Sequence, residues 1–220
     1  MIPVGLYRSP QHLPSMTRIK ICGLTEEEDA FFCAKAGADA LGFVIYENSP
    51  RFIKPIKLKA IVSKLPPFVT PVLVLVNPEK TLVEEAIAAA PHALLQFHGQ
   101  EPEDFCCRFR RPYVKAFPVD QTGNLLEYKD SYTSASAFLL DAQVLGQPGG
   151  TGSILPWEKL PKVWGKPLIL AGGLNPLNVA EAIAILRPWA VDVASGVESS
   201  PGRKDFTKVC AFIEAVRYAN

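Results

Sequence analysis

A repeated alternation of short apolar runs and helical segments constrains the fold of this chain more than any other feature of its sequence. From Arg18 onward, each apolar run is followed by turn residues and then by a segment of helical period. The runs have the length and the Val, Ile, Leu and Phe content of strands that are buried on both faces. The eight predicted strands are 19–22, 40–44, 72–76, 94–97, 114–117, 137–140, 167–171 and 190–193.

The segments between these runs have the spacing of amphipathic helices. Val179, Ala182 and Leu186, for example, fall on one helical face. At the first of these segments, Thr25 followed by Glu28 predicts a capping box that opens the helix.

Strands that alternate with helices pair in parallel through right-handed crossovers. Eight such units within about 200 residues predict an α/β protein, a single-domain (β/α)8 or TIM barrel. A doubly wound open sheet is the alternative, but it usually has fewer strands, and its dinucleotide-binding form has a glycine-rich first turn that is missing here. We assign residues 18–220 to the barrel and residues 1–17, with their three prolines, to a flexible N-terminal extension.

Composition and charge exclude several classes of protein. Apolar residues make up 48% of the 220 residues and charged residues 20%, which is typical of a globular domain. A net charge of +1 argues against a nucleic-acid partner, and no run of 18 apolar residues is present to span a membrane. The five cysteines have no regular spacing and only three histidines are present, so we expect no disulfide framework, no metal and a reducing, cytoplasmic compartment.

Polar residues and glycines cluster where the predicted strands end, and in this barrel the reacting groups lie at the carboxyl ends of the strands. The candidate site residues taken from these ends are Cys22, Arg51, His98, Asp141, Gly150, Gly172, Gly173, Ser195 and Gly196. Scattered placement would have counted against the fold, so the clustering predicts one site at one end of the barrel.

The small residues after strands seven and eight indicate a phosphate site. Backbone N–H groups at Gly172, Gly173, Ser195 and Gly196 can approach an anion closely, and these two loops commonly bind phosphate in such barrels. The glycine loop around Gly150 can add donors or close over the site. The alternative is that all these glycines only form tight turns.

Two candidates can move protons. Cys22 can act as a base or a nucleophile, or it can be a small buried apolar residue. Asp141 follows three apolar residues, and partial desolvation there favours a carboxyl group that holds a proton for delivery. An N-cap or an ion pair with Lys20 is the alternative role for Asp141.

Arg51 and His98 are candidates for contacts with a ligand. Arg51 can bind a ligand carboxylate through two hydrogen bonds, and the alternative is an ordinary loop arginine. His98 can hydrogen-bond or polarise the ligand, or it can be a structural histidine.

Seven sequence blocks, in order and each at a strand end, resemble the phosphoribosylanthranilate isomerase family of tryptophan biosynthesis. The blocks are Lys20-Ile-Cys-Gly-Leu-Thr25, Gly42-Phe-Val with Ser49-Pro-Arg51, Gln96-Phe-His-Gly99, Leu139-Leu-Asp141, Gly149-Gly-Thr-Gly152, Ala171-Gly-Gly-Leu174 and Asp192-Val-Ala-Ser-Gly-Val-Glu198. Ala194 and Ser153 depart from the family's common pattern, which affects the expected loop contacts only.

The resemblance implies an enzyme without cofactor or metal whose partner is a phosphorylated small molecule. The implied reaction is the Amadori rearrangement of N-(5-phosphoribosyl)anthranilate to 1-(2-carboxyphenylamino)-1-deoxyribulose 5-phosphate. Cys22 would be the general base, Asp141 the general acid, and Arg51 the residue that holds the anthranilate carboxylate. The loops with Gly172, Gly173, Ser195 and Gly196 would hold the phosphate, and we expect a monomer or a homodimer.

Two other classes of function stay open at this point. One is a neighbouring barrel enzyme for a phosphorylated sugar, such as an epimerase or indole-glycerol-phosphate synthase; the other is a phosphate-ligand binder without activity. Paired acidic and metal-binding residues would typically mark the epimerase, and lysine acid–base groups the synthase. A related isomerase of the histidine pathway would be expected to show aspartates after strands one and five, whereas Cys22 occupies the first of these places.

Overall fold

The predicted strands pair in parallel and in chain order into a closed barrel of eight strands in the structure, a computed structural model that describes residues 16–118, 130–141, 157, 160 and 165–219. They are β1 (Arg18–Ile21), β2 (Ala40–Ile45), β3 (Thr70–Leu75), β4 (Leu94–Phe97), β5 (Tyr113–Pro118), β6 (Ala137–Asp141), β7 (Leu168–Ala171) and β8 (Ala190–Val193). Pairing of β8 with β1 closes the ring. The predicted barrel is confirmed, and every strand begins and ends within two residues of its predicted bounds.

Helices follow the strands in the described parts of the chain. They are α1 (Glu27–Ala36), α2 (Pro55–Val62), α3 (Lys80–Ala89), α4 (Glu103–Cys107), α5 (Val179–Leu186) and α6 (Phe206–Tyr218). The predicted glycine loop with Gly150 lies outside the described residues, as do residues 1–15 of the predicted N-terminal extension.

The predicted capping box is wrong. Helix α1 has Glu26 as its N-cap, and no side chain caps it. The Thr25 hydroxyl donates instead to the carbonyl oxygen of Gly202, at 2.8 Å. A contact with a distant part of the chain therefore overrides the local helix signal.

Alternate residues of the strands form two apolar layers, because successive side chains of a strand point to opposite faces. The outward layer packs beneath the helices and includes fully buried residues such as Phe43, Phe97 and Phe138. The inward layer is built from Val114, Ala116, Ala137, Leu139, Ile169, Ala171 and Ala190. On the inward face of the barrel strands, three further buried residues of the described chain are polar, namely Lys20, Gln96 and Asp192.

A short segment after β8 folds back onto the start of the barrel. A 3-10 helix (Ser195–Val197) leads into an antiparallel hairpin, β9 (Glu198–Ser200) and β10 (Arg203–Lys204). The ammonium of Lys204 donates to the carbonyl oxygen of Cys22 at 2.6 Å and to that of Ala194 at 3.3 Å. This hairpin therefore ties the end of β8 to the end of β1.

Candidate active site

A cavity of about 300 Å³ lies at the carboxyl ends of the barrel strands. Its lining includes seven predicted site residues: Cys22, Arg51, His98, Asp141, Gly172, Gly173 and Ser195. Gly196 follows Ser195 directly but does not line the cavity, and Gly150 lies outside the described residues. The structure thus brings the two predicted proton-transfer residues, Cys22 and Asp141, to one cavity.

The side chain of Cys22 is 8% exposed and packs with Val44 and Val74 in the cavity wall. Gly42 of β2 lies against it, and a Cβ atom at Gly42 would come within 2.5 Å of the Cys22 sulfur. A side chain at position 42 would therefore displace the thiol. The sequence contained Gly42 in a family-like block, but only the fold shows why a glycine is needed there.

A buried ion pair adjoins Cys22. The ammonium of Lys20 donates to Asp192 Oδ2 at 2.6 Å, and both side chains are almost fully buried. The alternative in which Lys20 pairs with Asp141 is therefore wrong. Ring closure explains the choice, because β1 and β8 are neighbours and their register sets Lys20 opposite Asp192.

Burial and charge act in opposite directions on these groups. Burial raises the pKa of the Cys22 thiol, and attraction to Lys20 offsets this only in part. Burial acts to lower the pKa of Lys20, but attraction to Asp192 and Cys22 outweighs it, so this pKa is raised. Lys20 is therefore an ammonium at neutral pH, and the buried Cys22 thiol holds its proton more strongly than a free thiol does.

Asp141, the last residue of β6, presents a carboxyl group that is 25% exposed. Its Oδ2 atom lies 3.3 Å from His98 Nε2, and His98 Nδ1 lies 2.9 Å from the side-chain nitrogen of Gln96. When the Gln96 amide donates to Nδ1, the neutral imidazole carries its hydrogen on Nε2 and donates to Asp141. Gln96 and His98 therefore orient the carboxyl group, and Gln96 has no role in the sequence-based assignment.

Arg51 is held by a carboxylate that sequence reasoning left without a role. Its Nε and Nη2 atoms donate to Glu198 Oε1 at 2.9 Å and Oε2 at 2.6 Å, and Lys204 donates to Oε1 at 2.8 Å. Hydrogen bonding to Glu198 raises the pKa of Arg51. Burial acts to raise the pKa of Glu198, but hydrogen bonds from Arg51 and Lys204 outweigh it and hold this pKa low.

The backbone near Arg51 leaves room for its side chain. Gly23 has a φ of +79°, in the left-handed region, and a Cβ atom there would overlap the Arg51 side chain. Glu198 uses two of the five N–H donors of the guanidinium, so the group lines the cavity with donors to spare. Arg51 is therefore more than an ordinary loop arginine.

The loops after β7 and β8 meet at one side of the cavity. Gly172 and Gly173 have φ values of +86° and +68°, which glycine adopts without strain. A Cβ atom at Gly196 would overlap the carbonyl oxygen of Leu174, so the two loops are in close contact. Of the two departures from the family pattern, Ala194 lines the cavity, and Ser153 lies outside the described residues.

An apolar wall completes the cavity on the side of β2 and β3. It consists of Val44, Tyr46, Val74 and Val76. These residues come from strand interiors and strand ends that sequence periodicity marks only as buried. The combination of an apolar wall and a guanidinium suits a flat apolar group that carries a carboxylate.

The described residues offer no cluster for a metal ion, no disulfide and no membrane-spanning helix. In the described ranges, no three or more His, Cys, Asp or Glu side chains are grouped so that they could hold a metal ion. All five cysteines are free thiols. None of the described helices is both long enough and apolar enough to cross a membrane.

Comparison with known proteins gives the family. Residues 19–215 match the profile of the N-(5'-phosphoribosyl)anthranilate isomerase family. The N-(5'-phosphoribosyl)anthranilate isomerase of Pseudomonas fluorescens (strain Pf0-1) is 51% identical over 203 residues, which cover 92% of this chain and 100% of that protein.

Solved structures agree with this match. A crystal structure of phosphoribosyl anthranilate isomerase from Thermotoga maritima has a TM-score of 0.86 and 38% identity, and covers 92% of this chain and 100% of that one. A structure of the isomerase in complex with reduced 1-(o-carboxyphenylamino)-1-deoxyribulose 5-phosphate has a TM-score of 0.82 and 37% identity over the same shares of the two chains. With its barrel, its cavity and these matches, the chain belongs to the N-(5'-phosphoribosyl)anthranilate isomerase family.

Proposed function

We propose that this chain converts N-(5'-phosphoribosyl)anthranilate to 1-(2-carboxyphenylamino)-1-deoxyribulose 5-phosphate, the aldose–ketose isomerisation of tryptophan biosynthesis. One observation carries the proposal: in a member of the isomerase family, a thiol, a carboxyl group and a guanidinium line the same cavity, at Cys22, Asp141 and Arg51. A binding protein without activity would have no need for a buried thiol and a carboxyl group at one cavity.

Asp141 acts as the general acid in the first step. The carboxyl group gives its proton to the ring oxygen of the ribose while the lone pair of the anilino nitrogen forms a C=N bond. The bond between the anomeric carbon and the ring oxygen breaks, which leaves an open-chain iminium ion. The partial exposure of Asp141 supports this role, since solvent can return the lost proton.

Cys22 acts as the general base in the second step. The iminium ion acidifies the neighbouring C2–H bond, and the thiolate takes that proton. The electron pair of the broken C–H bond forms a C=C bond, and the iminium electrons return to nitrogen to give the enolamine. Because the iminium ion has already weakened the C–H bond, a thiolate is a strong enough base.

Anchors at the two ends of the substrate hold it between acid and base. Arg51 binds the anthranilate carboxylate, and the apolar wall of Val44, Tyr46, Val74 and Val76 packs against the aromatic ring. The loops with Gly172, Gly173, Ser195 and Gly196 bind the phosphate through backbone N–H groups. His98 orients Asp141 and contacts the ligand, and no residue of this scheme calls for a metal ion or a cofactor.

The wider setting of the protein follows from the same scheme. The partner is a phosphorylated small molecule, and we propose that the chain works as a monomer or a homodimer without nucleic acid or membrane. Five free thiols support a reducing compartment, which favours the cytoplasm.

A fluorescence assay tests the function. Phosphoribosylanthranilate is generated chemically, and purified protein is added; the anthranilate-type fluorescence then falls as the isomerised product forms. The double variant Cys22→Ser/Asp141→Asn is the matched control and leaves the signal at the uncatalysed rate. No acceleration by the wild-type protein, or equal acceleration by both proteins, would refute the proposal.

A further inference from the structure

The ion pair between Lys20 and Asp192 is not explained by the packing of the barrel. Both residues are less than 10% exposed, and their charged atoms lie 2.6 Å apart inside a barrel whose inward layer is largely aliphatic. A buried ion pair is often no more stable than apolar residues of the same volume, because loss of hydration offsets the attraction. Its position beside Cys22 therefore points to a role in the chemistry.

A second buried ion pair shows what a structural pair looks like in this protein. Lys115 and Glu101 lie 2.8 Å apart, and each side chain is 2% exposed. Lys115 also donates to the carbonyl oxygen of Gly99, and both Glu101 oxygens accept backbone N–H groups from Asn77 or Gly99. This pair does not line the cavity, and its charged atoms are well supplied with hydrogen bonds.

The Lys20–Asp192 pair differs, because both partners keep hydrogen-bonding capacity next to the cavity. Asp192 lines the cavity, and its buried Oδ1 atom has no hydrogen-bond partner among the described residues. An ammonium has three N–H donors, and within the same ranges Asp192 is the oxygen partner of Lys20. Cys22 lies two residues further along the chain from Lys20, on the same side, so the charge of the ammonium acts on the thiol.

We propose that Lys20 and Asp192 are positioning residues for the proton acceptor. Lys20 stabilises the thiolate of Cys22. Asp192 holds the ammonium beside the sulfur and weakens the attraction between the ammonium and the thiolate. This inference rests on the role of Cys22 as the general base under the proposed function. Lys20 keeps its proton throughout, and the proton taken from C2 of the substrate goes to the sulfur.

The other charged residues near Cys22 are consistent with these roles of Lys20 and Asp192. Arg51 and Lys204 also attract the thiolate, but both are paired with Glu198. Asp141 and His98 line the same cavity as Cys22 and follow other strands of the barrel. The ion pairs nearest Cys22 in the described chain join Lys20 to Asp192, and both Arg51 and Lys204 to Glu198. The three cations share two carboxylates in these pairs, so positive charge is available to the thiolate.

The test measures the thiol itself, in the unliganded full-length protein. Iodoacetamide reacts with the thiolate, and mass spectrometry resolves the alkylation rate of Cys22 from those of the other cysteines between pH 6 and pH 10. Lys20→Gln is expected to slow alkylation at pH 8.5 about tenfold or more, since loss of an opposite charge at this range shifts a pKa by roughly one to three units. Asp192→Asn is expected to speed it.

Two further variants guard against simple loss of structure. Lys20→Gln/Asp192→Asn leaves no unpaired charge, and its alkylation rate is expected between those of Lys20→Gln and the wild type. Lys115→Gln breaks the buried Lys115–Glu101 ion pair and is expected to lower thermal stability without moving the pH profile of Cys22 alkylation. The proposal is overturned if Cys22 alkylation stays within twofold of the wild-type rate in both Lys20→Gln and Lys20→Gln/Asp192→Asn. It is also overturned if Lys115→Gln slows this alkylation as much as Lys20→Gln does.

The pH profile of kcat/KM separates this inference from the proposed function. If Lys20→Gln shifts both the alkylation profile and the rising limb of kcat/KM, both stand. If the alkylation profile shifts but the rising limb of kcat/KM does not, Cys22 is not the base. The ion pair then changes the pKa of a thiol that the reaction does not use. If an active enzyme shows no shift in alkylation, the proposed function stands and the inference fails.

Discussion

Two sides of the cavity carry groups that can transfer protons, and they are built differently. The thiol side consists of Cys22, Lys20 and Asp192, all less than 10% exposed and held by an ion pair. The carboxyl side consists of Asp141, His98 and Gln96, in which the first two side chains are 25% and 29% exposed and an amide supports them.

The difference matches what a base and an acid need. A desolvated thiolate is a stronger base, but it needs a nearby charge to form at all. An acid must be recharged with a proton after each turnover, so contact with solvent helps it. The fixed charges on the thiol side therefore suit a group that accepts a proton. The oriented hydrogen bonds on the carboxyl side suit a group that donates one.

Replacement of the two proton-transfer residues is expected to give the largest effects. Cys22→Ser and Asp141→Asn should each lower kcat/KM by about 10²–10⁴-fold, because each change removes one positioned proton transfer. Fluorescence-based kinetics measure the loss, and circular dichroism checks that the barrel is intact. Turnover at the wild-type rate in a folded variant would remove that side of the cavity from the mechanism.

Two residues beside the thiol side, Arg51 and Glu198, are expected to differ in their effects on substrate binding and on protein stability. Arg51→Ala is expected to raise KM by roughly 10- to 100-fold with little change in kcat, because a charged hydrogen bond of about 1.5–3 kcal/mol to the substrate carboxylate is lost. Glu198→Gln should raise KM less but lower the free energy of unfolding more, by about 3–5 kcal/mol, because fully buried Lys204 loses its counter-ion. Steady-state kinetics and urea unfolding measure the two effects, and an unchanged KM in Arg51→Ala would contradict the carboxylate contact.

The pH dependence should reflect the thiol side. The base must be deprotonated to act, and burial raises the pKa of Cys22 above its ordinary value of about 8.5. We therefore expect kcat/KM to rise about tenfold from pH 7 to pH 8, as the thiolate fraction does below the pKa. A flat profile between these values would assign the rate-limiting proton transfer to another group.

Removal of the support on the carboxyl side should have the smallest effect. Gln96→Leu is expected to lower kcat about two- to tenfold, since one hydrogen bond that fixes the His98 ring is lost, worth about 0.5–1.5 kcal/mol. Gln100→Leu, at an exposed glutamine outside the cavity, is the matched control. A loss in Gln96→Leu as large as that in Asp141→Asn would mean that the amide does more than orient the histidine.

The barrel and the positions of its polar strand ends could be predicted, because both depend on local sequence. Apolar runs and helical spacing set the strand bounds, and the architecture then assigns chemistry to the residues that follow each strand. This reasoning predicts Cys22, Arg51, His98 and Asp141 as site residues without knowledge of any contact. Their chemical roles stay predictions that the experiments above test.

The partners of these residues could not be read from local sequence, because they are distant along the chain. Lys20 and Asp192 are 172 residues apart, and Arg51 and Glu198 are 147 apart. Lys20 pairs with Asp192 and not with Asp141 because β8 lies beside β1. A closed barrel implies that these two strands are neighbours, but the periodicity of the sequence alone does not. The Thr25 prediction failed for a similar reason, since its partner is Gly202.

The hydrogen bond from Lys204 to the Cys22 carbonyl has a consequence for how the enzyme is made. These two residues are 182 positions apart, so the thiol emerges from the ribosome long before the lysine that secures its backbone. The same delay applies to Asp192 and Glu198. A nascent or truncated chain that stops before the β9–β10 hairpin should therefore be inactive, however many of its strands have already formed, and catalysis starts only when the hairpin has closed over the first strand.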